Sequence, residues 1–197
     1  AHGGGCGNGG GGGQSVQTVQ DPAATVVEPD RRLRQITLGA LRPVAGANLA
    51  FTGEFVNFSH PTAVSGQRLV MYPSVSYPLI ATPSFYLTPK FGVHYTQYSL
   101  GANNLGALPN TNRTLPIVSL DSGVVMERDW SVGGKSYVQT LGPRAYFLYI
   151  PYRNQNLLPN FDTAQADFNF AQMFTENRFF GSDRIGDAKQ VTLSLTS

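Results

Sequence analysis

Long runs in which apolar and polar residues alternate one by one constrain this chain more than any other feature. Ile36, Leu38 and Ala40 alternate with Gln35, Thr37 and Gly39, and Leu49, Phe51 and Phe55 alternate with Thr52 and Glu54. Phe91, Val93 and Tyr95 alternate with Gly92, His94 and Thr96. Val118, Leu120, Val124 and Met126 alternate with Ser119, Asp121 and Glu127, and Val191, Leu193 and Leu195 with Thr192, Ser194 and Thr196. Successive side chains of a strand point to opposite faces, so each run reads as a strand with one apolar and one wet face. The runs at 69–79, 85–100 and 114–128 each exceed the roughly 5–6 residues of an ordinary globular strand. At about 3.3 Å per residue they are long enough to cross a membrane core when tilted, which takes about 9–11 residues.

Composition narrows the class. The 197 residues suit one domain. Only 13% are charged, against roughly 25% in soluble globular proteins, while aromatics reach 11% and mean hydropathy is −0.14. Low charge at near-neutral hydropathy fits alternation, and no apolar run approaches the roughly 18 residues of a membrane helix. The net charge of +2 is carried by scattered basic residues, so nucleic acid is not an expected partner. A single cysteine, Cys6, rules out a disulfide within these residues and disfavours a zinc site. The first residues show neither the charged nor the apolar region of a signal peptide, so export information is expected upstream or not at all.

Residues 3–13 are a glycine tract broken by Cys6 and Asn8. Such a segment buries too little apolar surface to offset its chain entropy, so residues 1–27 are expected to be a disordered tail and residues 28–197 the folded part. Turns are expected at 42–48, 131–135 and 142–143, with longer loops at 58–66 and 101–112. Short turns alternating with long loops predict an antiparallel up-and-down order with two unlike rims. Phe58, Tyr72, Tyr77, Phe85, Tyr86, Tyr98, Tyr146, Tyr149 and Tyr152 fall near run ends, where amphipathic rings suit the headgroup level of a bilayer. Cross-strand packing in a soluble sandwich would also use them. Pro73, Pro78, Pro83, Pro89 and Pro116 lie in or beside these runs, and because proline donates nothing to a ladder they predict local breaks.

The polar segment 154–187 is too long for an ordinary connection and reads as a functional, inward-folded loop. Within it, residues 164–174 suit a helix or a strand. Its acids Asp162, Asp167, Glu176, Asp183 and Asp187 could form a carboxylate pair for glycoside hydrolysis or a calcium site. They match no calcium-loop spacing, however, and Arg153, Arg178 and Arg184 accompany them, so arginine–carboxylate pairing is the simpler reading. His2, His60 and His94 have no metal-ligand spacing, and neither a phosphate loop nor a Gly-x-Ser-x-Gly elbow is present. No catalytic residue, metal or cofactor is assigned.

The segments that flank and fill this loop carry a resemblance. Tyr149-Ile150-Pro151-Tyr152-Arg153-Asn154-Gln155, then Leu158-Pro159-Asn160-Phe161-Asp162, then the run from Phe174-Thr175-Glu176-Asn177-Arg178 through Gly181-Ser182-Asp183-Arg184-Ile185-Gly186-Asp187-Ala188 resemble the barrel domain of the LptD family. These are lipopolysaccharide-assembly outer-membrane proteins, also called Imp or OstA, the organic solvent tolerance proteins. Arg31-Arg32-Leu33, Gly66-Gln67-Arg68, Leu87-Thr88-Pro89-Lys90 and Arg113-Thr114-Leu115-Pro116 agree in order, and the resemblance runs from about residue 28 to the end. Arg34 stands where the family usually has proline, and Ala188-Lys189-Gln190 where it has Ala-Asn-Gln. The glycine tract is expected to match nothing in the family.

The resemblance implies an all-β fold, an antiparallel up-and-down transmembrane β-barrel of which this chain is an incomplete middle segment of about eight to ten strands. It implies transport of lipopolysaccharide to the outer leaflet of a Gram-negative outer membrane, without covalent chemistry. The implied partners are lipopolysaccharide, a lipoprotein plug of the LptE type, and periplasmic lipopolysaccharide-bridge proteins that engage an N-terminal domain outside this segment. Arg153, Gln155, Asp162, Asn177, Arg178, Asp183 and Arg184 are the candidates for anchoring the loop in the lumen or facing a partner. Two rival classes are a soluble β-sandwich that binds glycans and a carboxylate-dependent outer-membrane hydrolase. A segment with two unpaired sheet edges is expected to be insoluble alone.

Overall fold

The computed structural model describes residues 6–14, 31–60, 64–101, 104 and 110–197, with the backbone alone for residues 6–14 and 31–33. Its strands are β1 (Cys6–Gln14), β2 (Arg31–Val44), β3 (Ala47–Ser59), β4 (Gly66–Ser76), β5 (Ile80–Ala81), β6 (Phe85–Leu100), β7 (Asn112–Val124), β8 (Met126–Val132), β9 (Lys135–Ile150), β10 (Ala164–Gln165), β11 (Phe179–Phe180) and β12 (Ala188–Thr196). One antiparallel sheet runs in the order β1-β2-β3-β4-β6-β7-β9-β12, with β5 paired to β6 and β8 to β9. Each long strand lies beside the next in sequence, the up-and-down order, and among the described residues the sheet does not close. β6 and β9 have 16 residues each and β2 has 14. The separate pair β10–β11 lies inside the long segment between β9 and β12.

Two hairpins turn on adjacent residues with positive φ, Ala45 with Gly46 and Gly133 with Gly134, the geometry whose twist matches that of paired strands. The turn expected at Gly142-Pro143 is absent. Both residues lie inside β9, opposite Thr196 and Leu195 of β12. β9 changes partner there: Lys135–Leu141 pairs with β8, and 144–149 pairs with β7. Pro143 has no N–H to give, which accounts for the gap between the two ladders, and Val125 N donates instead to Ser84 O at 2.9 Å. Pro73 acts likewise, leaving 72–73 out of the ladder between β4 and β6 while β4 stays whole.

The glycine tract also departs from expectation. Cys6–Gln14 is a strand, paired residue by residue with β2. A lone glycine tract lacks apolar surface to bury, but at a sheet edge its amides and carbonyls find partners in the neighbouring ladder. Residues 1–5 and 15–27 of the expected tail lie outside the described residues, as do 28–30, 61–63 and most of the 101–112 loop. Residues 164–174 are neither helix nor strand throughout, holding the two-residue β10 and a single 3-10 turn at Ala171–Phe174.

Register gives the sheet two unlike faces. The row Arg42, Leu49, Val75, Phe91, Val118 and Tyr149 runs across β2 to β9 on one face, and Phe51, Pro73, Val93 and Pro116 sit beside it. Phe91 is 48% exposed and Leu193 73%. The opposite face carries Glu54, Arg68, Tyr72, Lys90, Thr96, Tyr98, Arg113, Asp121 and Arg144, and against it packs the segment 151–187. The buried core lies between them: Leu115, Ile117, Tyr146, Leu148 and Ile150 from the sheet, with Ile185 from the segment. Of the aromatics expected at headgroup level, Phe58, Tyr98 and Tyr146 are instead buried on this inner face. Their positions in β3, β6 and β9 give them the inward parity.

Candidate lumen-loop interface

The segment 151–187 folds first upon itself. Gln155 Nε2 donates to Ile185 O at 2.7 Å and its Oε1 accepts from Ile185 N at 3.1 Å, clasping the two ends. Phe161 N and Asp162 N both donate to Asp183 Oδ2, at 2.7 and 3.0 Å. Asp183 N donates to Thr163 Oγ1 at 3.0 Å, and β10–β11 with Ala166 N to Arg178 O continue the zipper. Asn177 bridges the return turn, donating to Arg184 O and accepting from Gly186 N. Arg184 donates to Leu158 O and Pro159 O. Short polar side chains thus satisfy the backbone of an irregular segment that has few ladder partners.

The folded segment then docks through two arginines of the sheet. Arg68 of β4 is fully buried, donating through Nη1 to Asp162 and to Asp183 Oδ1 (2.8 Å), and through Nη2 to Asp162 Oδ2 (2.8 Å) and Glu54 Oε2 (3.0 Å). One guanidinium therefore holds both arms of the segment and a carboxylate of β3. Arg113 of β7 donates to Asp183 O (2.7 Å), Ser182 O (2.9 Å), Thr96 Oγ1 (3.2 Å) and Gln155 Oε1. Tyr98 OH adds a bond to Asp183 Oδ1 at 3.0 Å. Phe161 stacks on Phe58 with centroids 4.5 Å apart, and the Arg68 guanidinium lies 5.1 Å from the Phe58 ring centroid.

A second contact lies nearer the short-turn rim. Glu176 accepts from Tyr72 OH (2.6 Å) and pairs with Lys90 Nζ (2.8 Å). Arg144 forms a fork with Asp121 at 2.9 and 2.7 Å, and its guanidinium carbon lies 4.1 Å from the centroid of Phe174. Tyr72 lies flat across Gly92, where a Cβ would come within 2.5 Å of the ring. Thr192 of β12 donates to Met173 O at 2.9 Å.

The sequence-derived candidates separate into three groups. Asp162, Asp183 and Gln155 meet the wall arginines. Asn177 and Arg184 bond within the segment. Arg178 stacks on Phe179 at 5.3 Å and crosses Gly186, and Arg153 is exposed beside a cavity of about 440 Å³ lined by Arg113, Thr114, Asn154 and Leu158. Sequence reading missed the wall side: Glu54, Arg68, Tyr72, Lys90, Thr96, Tyr98, Arg113, Asp121 and Arg144. Parity was the available signal, since all of them share one face of the sheet. Among the described residues, no group of three or more His, Cys, Asp or Glu side chains is placed to hold a metal ion.

Comparison with known proteins places this architecture. The family model described as LptD, LPS transport system D, matches residues 6–197. The match begins inside the glycine tract, against the expectation that the tract matches nothing in the family. A protein of Nitrosospira multiformis named LPS-assembly protein LptD is 53% identical over 187 residues, 93% of this chain and 20% of its own length. Proteins of the same name from Nitrosomonas eutropha and Azoarcus sp. are 48% and 47% identical, again over 93% of this chain and over 26% and 23% of their own lengths. The chain thus spans about a fifth to a quarter of the curated relatives it matches, and across nearly all of its residues it belongs to the LptD family.

Proposed function

We propose that this chain is a wall segment of an outer-membrane barrel that delivers lipopolysaccharide to the outer leaflet, with residues 151–187 folded against the lumen side. The two-faced sheet carries this reading. One face offers bare apolar rows to lipid, and the other is polar and covered by the chain's own folded segment, as a water-filled barrel interior requires. The names of the relatives support lipopolysaccharide as the cargo. A lipoprotein plug of the LptE type and periplasmic bridge proteins belong to the same proposal, since a wide lumen and a periplasmic delivery route both call for partners. The anchoring of the segment is assigned to Gln155, Asp162, Asp183 and Glu176 against Arg68, Arg113 and Lys90.

The geometry disfavours the rivals. A soluble sandwich would bury the row Leu49, Val75, Phe91 and Val118 under a second sheet, yet Leu49, Phe91 and Val118 are exposed. A hydrolase would need an accessible carboxylate pair. Asp183 is fully buried, with Oδ1 accepting from Arg68 and Tyr98 and Oδ2 from two backbone amides. Transport without bond making fits the groups that are present.

The test uses the full-length protein in living cells with a photocrosslinking residue at Phe168, which is 85% exposed on the inward segment. A lipopolysaccharide adduct is expected there. Its absence, in protein that is correctly inserted, would sink the transport reading of this face.

A further inference from the structure

The inner wall and the segment that covers it have opposite charge. The part of the inward face that the segment covers carries Arg68, Lys90, Arg113 and Arg144 against Glu54 and Asp121, Glu127 and Asp129 lying on the same face of β8 beyond it, whereas residues 151–187 carry five carboxylates against three arginines. The contacts follow that imbalance: Asp162 and Asp183 on Arg68, Glu176 on Lys90, and the carbonyls of Ser182 and Asp183 on Arg113. Among the described residues, the buried Nε atoms of Arg68 and Arg113 have no acceptor. The segment therefore leaves donor capacity unused on both docking arginines.

A buried ion-pair interface of this kind is a poor choice for stability alone. Desolvation of the charges offsets most of their attraction, and apolar replacements are often neutral or better. Its chemistry is instead exchangeable, because a guanidinium fork accepts phosphate as readily as carboxylate. The segment also keeps its own bonds: the Gln155–Ile185 clasp, the Asp183 amide contacts and β10–β11 involve no wall atom. These internal bonds do not depend on the wall.

We propose that the inward surface bearing Arg68, Lys90, Arg113 and Arg144 is a binding site for phosphorylated, polyanionic saccharide headgroups, and that residues 151–187 are its displaceable intramolecular stand-in. This deepens the transport reading and rests on it. Anion and segment compete for the same cations, so loss of a segment carboxylate tightens the anion, and loss of a wall cation, which removes the anion's own contact, weakens it.

The experiment measures binding of lipopolysaccharide, and of the same lipopolysaccharide with its phosphates removed, to the purified full-length protein at physiological salt. Lys90, Arg144 and Glu176 are 33%, 36% and 20% exposed, so substitutions there leave the buried Arg68 contacts in place. Lys90→Gln and Arg144→Gln are expected each to weaken the phosphorylated form about tenfold, in line with loss of a charge-assisted contact, and to leave the dephosphorylated form unchanged. Glu176→Gln is expected to tighten the phosphorylated form severalfold. Asp167→Asn, which removes the same charge from an exposed site on the same segment, should not change it. Indifference to phosphate, or equal tightening by Glu176→Gln and Asp167→Asn, overturns the competition. No binding of either form by the wild-type protein would count against the transport reading itself.

Discussion

The two halves of β9 are one strand in two environments. Lys135–Leu141 pairs with β8 in a two-stranded ribbon, where Trp130, Tyr137 and Val138 are 53%, 52% and 64% exposed. From residue 142 onward β9 is flanked by β7 and β12, and its inward residues Tyr146, Leu148 and Ile150 are 5%, 2% and 2% exposed. Both halves are extended strand. What separates them is the segment 151–187, which lies over the second half and not the first. Burial on this sheet is conferred by the docked segment and not by strand pairing.

That comparison is broken most directly at Arg68. Arg68→Ala in the full-length protein leaves Glu54, Asp162 and Asp183 facing one another without their shared cation, and should destabilise the docked sector by about 3–5 kcal/mol. Chemical denaturation followed by hydrogen exchange resolves where the loss falls. Exchange is expected to rise in the inward half of β9 and stay unchanged in residues 126–141. A uniform rise along β9 would mean that the segment is not what distinguishes the halves.

Leu148→Ala comes next. Leu148 packs with Leu115, Ile117 and Ile185 between wall and segment, so truncation leaves a cavity and should cost roughly 2–5 kcal/mol, the range depending on how far the segment can settle into it. A cost near the low end would indicate a segment free to follow the wall inward, and one near the high end a segment fixed by Arg68 and Arg113. Combining Leu148→Ala with Arg68→Ala sharpens this, because residues sharing one interface give non-additive losses.

The strands were legible because alternation is local. Ile36 to Ala40, Phe91 to Tyr95 and Val191 to Leu195 each announce their two faces within a few residues, and the observed register keeps those faces. The Gly142-Pro143 pair misled because the dipeptide also suits a ladder gap, and only the switch of partner from β8 to β7 creates that gap. Of the loop acids, Asp162 and Asp183 pair with an arginine, but with one of the wall and not with one of the segment. Arg153, Arg178 and Arg184 lie nearby in sequence, whereas Asp183 bonds Arg68 across a separation of 115 residues. No local pattern encodes such a partner. Inward parity marks Arg68 and Arg113 as charges of the covered face, yet only the path of the returning segment selects which carboxylates reach them.

The smallest expected effect is at Val138, in the exposed half of β9. Its inward parity matches that of Tyr146 and Leu148, so a view in which strand face alone decides burial would make Val138→Ala costly. With no docked segment above it among the described residues, the substitution should fall within about 0.5 kcal/mol of neutral, as exposed sites usually do. Equilibrium unfolding of the full-length protein measures it. A loss of about 2 kcal/mol or more, typical of a truncated buried side chain, would show that the ribbon is covered in the assembled protein by residues beyond those described. The contrast within β9 would then belong to the piece and not to the barrel, while the Arg68 latch and its dependence on residues 151–187 would stand unchanged.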